Sequence, residues 1–396
     1  MKVPFGCIQV TKGSVSRVKG ALKTGRLTGG KNVRELEQKF SRIFNIKHAV
    51  AVSSGGDALT SALSVLYDFG AKRGDEIIVP ALSFVATGNS VLNAGFTPVF
   101  VDIQLHSLNI NPSGIETVIT PRTRAIVPVH LMGKPADMDT IIAIAKKHKL
   151  KVIEDAAEAY GTIYKGHAAG TMGDMGCFSL YAAHLITAIE GGMVISDNMR
   201  MAEILRSLRA HGRACKCEEC VINTRENALC AKRFNGRTDN RFIFERIGYS
   251  CKMNELEAAF ALGQIAGYNR ILKKRRANLL YAMKLFERFR PDLITVTEGP
   301  DETIGPHAFP VVLGAGSKIN RDDMVGFLIS RGIDSRSLFA SMPTQCRGFS
   351  FLGYRQGDFP VAEFVGNNGF HIGMHQELGR RHIEYFVNTV SEYLKR

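Results

Sequence analysis

A chain of 396 residues, 45% hydrophobic and 22% charged, can bury a large core, and no stretch approaches the roughly 18 uninterrupted apolar residues that a membrane-spanning helix needs. The start, Met1-Lys2-Val3-Pro4-Phe5-Gly6, has no apolar run of signal-peptide type, so a soluble cytoplasmic protein with no membrane partner is expected. The net charge of +14 invites a nucleic-acid reading, but the basic residues are spread out, the densest run (Lys273-Lys274-Arg275-Arg276) reads as a solvated helix face, and no nucleic-acid motif is present.

Residues 1–47 read as an arm and then a helix, Val33 to Phe44, after the turn Leu27-Thr28-Gly29-Gly30. From His48 apolar strands and amphipathic helices alternate. The predicted order is strand Ala49–Ser53, helix Asp57–Tyr67, strand Glu76–Pro80, helix Phe84–Ala94 and strand Pro98–Asp102. Strand Ala125–His130, helix Met138–His148 and strand Lys151–Asp155 follow. Repeated units of this kind imply a mostly parallel sheet covered on both faces, with ligands at the carboxyl ends of the strands. Gly176 to Val194 then reads as a short strand, a polar turn centred on His184, and a strand Met193–Ser196 opened by Gly191-Gly192.

Residues 211–247 break this rhythm, being polar and rich in Arg, Asn and Cys. A structureless loop of that length in a compact domain is usually functional or disordered. A long helix, Asn254 to Phe289, follows; then come strands near Leu293–Val296 and Phe309–Leu313, helix Arg321–Ser330 and a closing helix from Arg381. The expected division is a large domain, 1–260, with an arm and a cysteine-rich insertion at 211–247, and a small C-terminal domain, 261–396.

Ser53-Ser54-Gly55-Gly56-Asp57 joins a strand to a helix, where small residues let backbone N–H groups approach a phosphate. Glu154-Asp155-Ala156-Ala157-Glu158 ends a buried strand with carboxylates, and Phe84 sits at the top of another strand. Of the eight cysteines, Cys215, Cys217, Cys220 and Cys230 stand in a C-x-C-x2-C-x9-C spacing, with Cys251 nearby. In a reducing compartment such crowding favours one metal centre, zinc or iron–sulfur, over disulfides; four free thiols are the plain alternative.

The glycine turn, Phe84 in Pro80-Ala81-Leu82-Ser83-Phe84, Asp155, Ser179 and the His184 turn occur in an order that resembles the DegT/DnrJ/EryC1/StrS family of sugar aminotransferases. Val129-His130-Leu131-Met132-Gly133-Lys134-Pro135 and Gly248-Tyr249-Ser250-Cys251-Lys252-Met253-Asn254 extend the likeness over nearly the whole chain. The resemblance implies the fold type I architecture of pyridoxal-phosphate enzymes, aspartate aminotransferase-like, with a smaller α+β domain. It implies that Gly55, Gly56 and Ser179 bind the cofactor phosphate, that Phe84 stacks on its ring, that Asp155 faces the ring nitrogen and that Glu158 is the neighbouring polar contact. Ser250 stands where relatives often have an asparagine that reaches the cofactor phosphate across a homodimer interface; serine has less reach.

His184 occupies the position of the family's Schiff-base lysine, and histidine has no primary amine. The cofactor is therefore expected to be held non-covalently, as pyridoxamine or pyridoxal 5′-phosphate. This resembles the histidine-containing 3-dehydratases of nucleotide-linked 4-keto-6-deoxyhexoses, in which the histidine removes a proton from the cofactor's C4′ methylene and the sugar's C3 hydroxyl leaves. The C-terminal Asn367-Asn368-Gly369-Phe370-His371-Ile372-Gly373-Met374-His375-Gln376 resembles that branch too, with His371 and His375 as substrate contacts. A nucleotide-diphosphate sugar substrate would be drawn by the positive field.

Members of the ascarylose-type branch carry a [2Fe-2S] cluster fed by a reductase, and His211-Gly212-Arg213 and Lys232-Arg233-Phe234 around the cysteines resemble it. That branch takes a ligand from the position of Ala157, and residues 218–229 look longer than its loop. Cys220 or Cys251 is then the replacement ligand in an iron–sulfur site, or the site is a structural zinc. Alternatives to the reductive dehydratase are a cluster-free colitose-type dehydratase, a sugar aminotransferase homologue with structural zinc, and a non-catalytic regulator.

Overall fold

The computed structural model describes residues 1–215, 217–218, 220–224 and 228–396, and the side chains of all of these but 223, 224 and 235. Two helices open the chain, α1 (Lys12–Thr24) and α2 (Lys31–Phe44). Strands and helices then alternate: β1 (His48–Val52), α3 (Gly55–Ser64), β2 (Glu76–Pro80), α4 (Ala86–Asn93), β3 (Thr97–Val101) and β4 (Thr123–Ile126). The series continues with α5 (Met138–His148), β5 (Lys151–Asp155), β6 (Met175–Ser179), β7 (Gly192–Ser196) and α6 (Met199–Leu208).

Among the described residues these strands make a seven-stranded sheet in the order β1-β7-β6-β5-β4-β2-β3. The pairs from β6 to β3 are parallel, and β7 runs antiparallel to both β1 and β6. Burial on both faces follows the two-residue period of a strand. Val50, Val52, Ile77 and Val79 pack with α3 and α6 on one side. Ala49 and Ala51 face α2 and α7 (Glu255–Ile265) on the other, while Ile78 and Ile126 face α5. Phe178 is fully buried in an aromatic cluster, 4.5 Å from Phe44 and 5.2 Å from Phe40 between ring centroids. Each such ring contributes on the order of 1.5–3 kcal/mol by leaving water.

Beyond α7 lie α8 (Tyr268–Phe286), β8 (Leu293–Ile294), β9 (Ala308–Leu313), α9 (Arg321–Ser330), β10 (Ser335–Ser337), α10 (Pro360–Asn368), β11 (Gly369–Gly373) and α11 (Arg380–Tyr393). Its strands form a second, antiparallel sheet, β8-β9-β11-β10. Phe286 and Phe386 stack at 5.6 Å beneath it and Phe309 meets Phe286 edge-on, so α8, α11 and β9 share one core.

Four expectations change. The predicted helix Asn254–Phe289 is two helices, because the chain turns at Ala266-Gly267. Its start is as expected: Asn254 caps α7, accepting from the Leu256 and Glu257 N–H groups at 3.0 Å, and Glu257 accepts from the Asn254 N–H at 3.2 Å. The arm contains a helix, α1, which docks on α7; Ser14 Oγ donates to the Phe260 carbonyl at 3.0 Å. The predicted strand to His130 ends at Ile126, and Val129 makes only an isolated bridge to Asp155. The segment 369–373, assigned no element from sequence, is the interior strand β11.

One buried carboxylate ties α2 to α7. Glu255, 4% exposed, accepts from the N–H groups of Gly30, Asn32 and Val33 at 2.8, 2.9 and 3.0 Å. Gly30 offers α2 no side-chain cap, so a side chain from another helix satisfies the amides that open it.

Candidate active site

Three of the predicted residues stand at or just beyond the carboxyl ends of β1, β5 and β6: Gly55, Asp155 and Ser179. Gly55 and Gly56 open α3 behind the cap Ser54, whose Oγ accepts from the Asp57 N–H at 3.0 Å. A Cβ on Gly55 would lie 2.7 Å from Ser179 Cβ, so the turn and the end of β6 meet without room for a methyl group. Gly192 is confined in the same way, its Cβ position falling 2.0 Å from the Ser54 carbonyl oxygen. The helix start and the serine hydroxyl therefore converge on one place, which suits an anion.

Asp155 is fixed by two donors, Thr87 Oγ1 at 2.8 Å and the Ala157 N–H at 3.2 Å. Burial raises its carboxyl above the usual range, against the lowering effect of Thr87 and the Ala157 amide. No ion pair to Asp155 forms among the described residues, so the carboxyl is open to pair with a protonated pyridine nitrogen, whose charge would offset the effect of burial. Its neighbour Glu154 points elsewhere and is structural. It accepts from the N–H groups of Gly170, Met172 and Gly173 at 2.6–2.7 Å and pairs with His130 at 2.9 Å. Phe84 is 57% exposed, tilted against Phe339 at 5.7 Å, which leaves much of the ring free to cover a planar ligand.

Glu158 accepts from the Met132 N–H at 2.8 Å, and burial pushes its carboxyl up to about 7. His184 sits in the turn after β6, its N–H bonded to the Tyr181 carbonyl at 3.0 Å. Its Nδ1 is buried without a hydrogen-bond partner. Burial first, then the charges of His307 and Arg275, hold the ring well below the ordinary imidazole range, so it is uncharged. A narrow space bounded by Glu158, Tyr160, Leu185, Arg275, Pro306 and His307 lies beside it. A larger cavity of about 570 Å³ lies at the opposite ends of β4 and β5 and contains none of these residues.

Thus the structure brings Gly55, Gly56, Asp155 and Ser179 together, with Glu158 and His184 joined through His307. Ser250 is exposed, bridged to Ala210. His371 and His375, expected to meet substrate, are both buried. His371 lies in β11, with Nδ1 unpartnered, and His375 Nε2 bonds the Pro4 carbonyl at 3.0 Å. Sequence reasoning missed Thr87, His307 and Arg275. A hydroxyl one turn into a helix, and a lone histidine before an apolar strand, give no signal until the fold places them.

The cysteine loop is tied down beside the main sheet. Ala214 donates to the Ile243 carbonyl at 2.9 Å, and Glu218 accepts from Arg206 at 3.0 Å. Cys215 and Cys230 are close enough to Cys217 to raise its thiol, after burial, while Cys220 and Cys230 both act on Arg241. Among the described residues no three His, Cys, Asp or Glu side chains are arranged to hold a metal ion. Residues 216, 219 and 225–227 of this loop lie outside the described residues.

The phosphate cradle at Gly55, the uncompensated Asp155 and the unpartnered His184 Nδ1 fit a phosphorylated pyridine with a basic substituent. Comparison with known proteins supplies the family. The chain is 34% identical, over 99% of its length and 86% of the relative's, to the dTDP-4-dehydro-2,6-dideoxy-D-glucose 3-dehydratase of Saccharopolyspora spinosa. It is 32% identical to the GDP-perosamine synthase of Caulobacter vibrioides, over 92% of its own length and 91% of that protein's. The solved structure of E. coli GDP-4-keto-6-deoxy-D-mannose-3-dehydratase with bound hydrated PLP superposes with a TM-score of 0.85 at 27% identity, covering 98% of this chain and 99% of that one. Together with the aminotransferase-like architecture described above, these neighbours place the fold among type I pyridoxal-phosphate enzymes. The family model matches residues 9–391, and the chain belongs to the DegT/DnrJ/EryC1/StrS aminotransferase family.

Proposed function

We propose that this enzyme is a pyridoxamine-phosphate-dependent dehydratase that removes the C3 hydroxyl of a nucleotide-linked 4-keto-6-deoxyhexose. The observation that carries the reading is His184: the turn from Tyr181 to Gly191 contains no lysine and instead presents a neutral imidazole with an unused nitrogen. When bound, pyridoxamine phosphate supplies a primary amine for the sugar ketone and a ring that accepts an electron pair. Gly55, Gly56 and Ser179 bind the phosphate, with Ser250 contributing from a partner copy in a homodimer. Asp155 holds the proton at the ring nitrogen, Phe84 covers the ring and Glu158 contacts its edge. His184 takes the proton from the C4′ carbon, the step for which a neutral imidazole is suited.

The names of the S. spinosa and E. coli proteins support dehydration. The C. vibrioides protein keeps amino transfer as the competing reading, which needs a covalent amine that the turn does not offer. We further infer that Cys215, Cys217, Cys220 and Cys230 hold one metal centre. The support is their spacing alone, since among the described residues no three of these side chains gather around a common point, and a reductase would be the partner if the metal is an iron–sulfur cluster. Iron, zinc and sulfide analysis of anaerobically purified protein distinguishes a cluster, zinc and bare thiols.

The deciding experiment incubates the purified protein, pyridoxamine phosphate and a panel of GDP-, CDP- and dTDP-4-keto-6-deoxyhexoses, with mass spectrometry of the products. Loss of one oxygen at C3, abolished in His184→Asn by about 10²–10⁴-fold, is the expected result. Transfer of an amine from glutamate to the sugar, with C3 intact, would overturn it.

A further inference from the structure

His184 lies against a second imidazole that no local pattern of residues places there. His307, one residue before β9, has its ring centroid 5.2 Å from that of His184, with the planes 35° apart. On its other side His307 Nε2 lies 3.3 Å from Glu158 Oε1. The second Glu158 oxygen is taken by the Met132 amide at 2.8 Å, so the carboxyl is clamped between a fixed backbone donor and the histidine. The charged and titratable groups facing this pair are Tyr181 from the same turn, Glu158 from the loop after β5, Arg275 from α8 and His371 from β11. Arg275 is itself buried, its Nε donating to Gln376 at 2.8 Å.

We propose that His307 is the positioning residue of this site: anchored to Glu158, it packs its imidazole against His184 and holds that ring in one orientation and in the uncharged form. Three physical points carry this. Burial strips both imidazoles of water, and Arg275 holds a fixed cation in the same enclosed space, so a proton on His184 would go unsolvated. Burial pushes Glu158 up to about 7 and His307 down to about 3, so His307 stands uncharged beside His184. Glu158 Oε1 lies 3.3 Å from His307 Nε2 and, with its other oxygen fixed by the Met132 amide, limits how that ring can turn. A ring held in that way is a rigid wall for His184, whose Nδ1 has no bond of its own to orient it.

The catalytic meaning of this arrangement rests on His184 being the base, as proposed above; the titration that tests it does not. In the apoprotein labelled with ¹⁵N-histidine, NMR follows His184 from pH 5 to 9, with His184→Asn assigning the signals. The parent ring is expected to remain neutral to well below its ordinary midpoint. His307→Ala removes the ring contact and admits water. It is expected to raise the His184 midpoint by about one pH unit, a tenfold gain in proton affinity, and to broaden its signal as the ring gains freedom. Glu158→Gln keeps a side chain of the same shape beside His307 Nε2 and is expected to leave the midpoint in place. In the enzyme loaded with cofactor, His307→Ala should move the acid limb of kcat to higher pH with little change in KM. An unmoved His184 titration in a folded His307→Ala protein would overturn the proposal. A shifted titration in a protein that dehydrates no sugar would leave it standing and remove the functional reading instead.

Discussion

Replacing Gly55 by alanine tests the phosphate cradle with a single methyl group. The new Cβ would stand 2.7 Å from Ser179 Cβ, 3.0 Å from its Oγ and 3.2 Å from its Cα, the first nearer than real Cβ atoms approach. Rotating the Ser179 side chain relieves only the Oγ contact. Cβ and Cα are held by β6, whose residue 179 is paired with Gly192 of β7, and the Tyr160 hydroxyl bonds the Ser179 carbonyl at 3.0 Å. The displacement must therefore be taken by the turn that opens α3. Overpacking of this kind costs about 1–3 kcal/mol. If that strain falls on the site where the amides and the hydroxyl converge, the affinity for pyridoxamine 5′-phosphate drops roughly 5- to 150-fold. Gly56→Ala is the control, because the nearest atom to its Cβ is Ser54 Oγ at 3.8 Å, an ordinary contact. Titration of apoprotein with the cofactor, followed by its fluorescence or by calorimetry, measures both. Equal affinities for the two variants, or a Gly55→Ala protein that binds like the parent, would refute the assignment of this turn to the phosphate.

Three further outcomes are expected. Borohydride treatment with pyridoxal phosphate leaves the Tyr181–Gly191 peptide without a cofactor adduct, because His184 offers no Schiff-base nitrogen; an adduct in the digest would contradict the non-covalent site. Glu255→Ala strips three amides at the start of α2 of their acceptor and lowers unfolding free energy by about 2–4 kcal/mol in urea titrations, while a loss below the error of that measurement would show the amides find water instead. Glu158, raised from near 4.5 to about 7, contributes stability below pH 4.5 that is lost as the pH rises through 7, on the order of 3 kcal/mol. In Glu158→Gln the difference in unfolding free energy between pH 5 and pH 8 shrinks by a comparable amount, and an unchanged difference would place the carboxyl in contact with water.

Much of the architecture was legible in the residues because it depends on local periodicity. The strands Glu76–Pro80 and Lys151–Asp155 and the helices Met138–His148 and Arg321–Ser330 have the predicted bounds, since their apolar spacing and caps are contained in the segments themselves. The alternation of strand and helix fixed a mostly parallel sheet, and with it the end of the sheet where Gly55, Asp155 and Ser179 would meet. His184 in place of lysine was equally plain, because a missing primary amine is a property of the residue alone. Tertiary structure decided the rest. The break at Ala266-Gly267 lies within a continuous helical pattern, and α1 is weakly amphipathic until α7 supplies a surface for it. Glu255 carries no signal in the residues around it, and only packing makes it the cap of α2. His371, expected to meet substrate, is buried because β9 and β10 flank its strand from positions distant in sequence. The meeting of His307 with His184 and Glu158 joins three segments more than a hundred residues apart at their extremes. No local pattern encodes such a contact; it exists because the loop after β5, the turn after β6 and the residue before β9 converge and exclude the water that would otherwise separate these side chains.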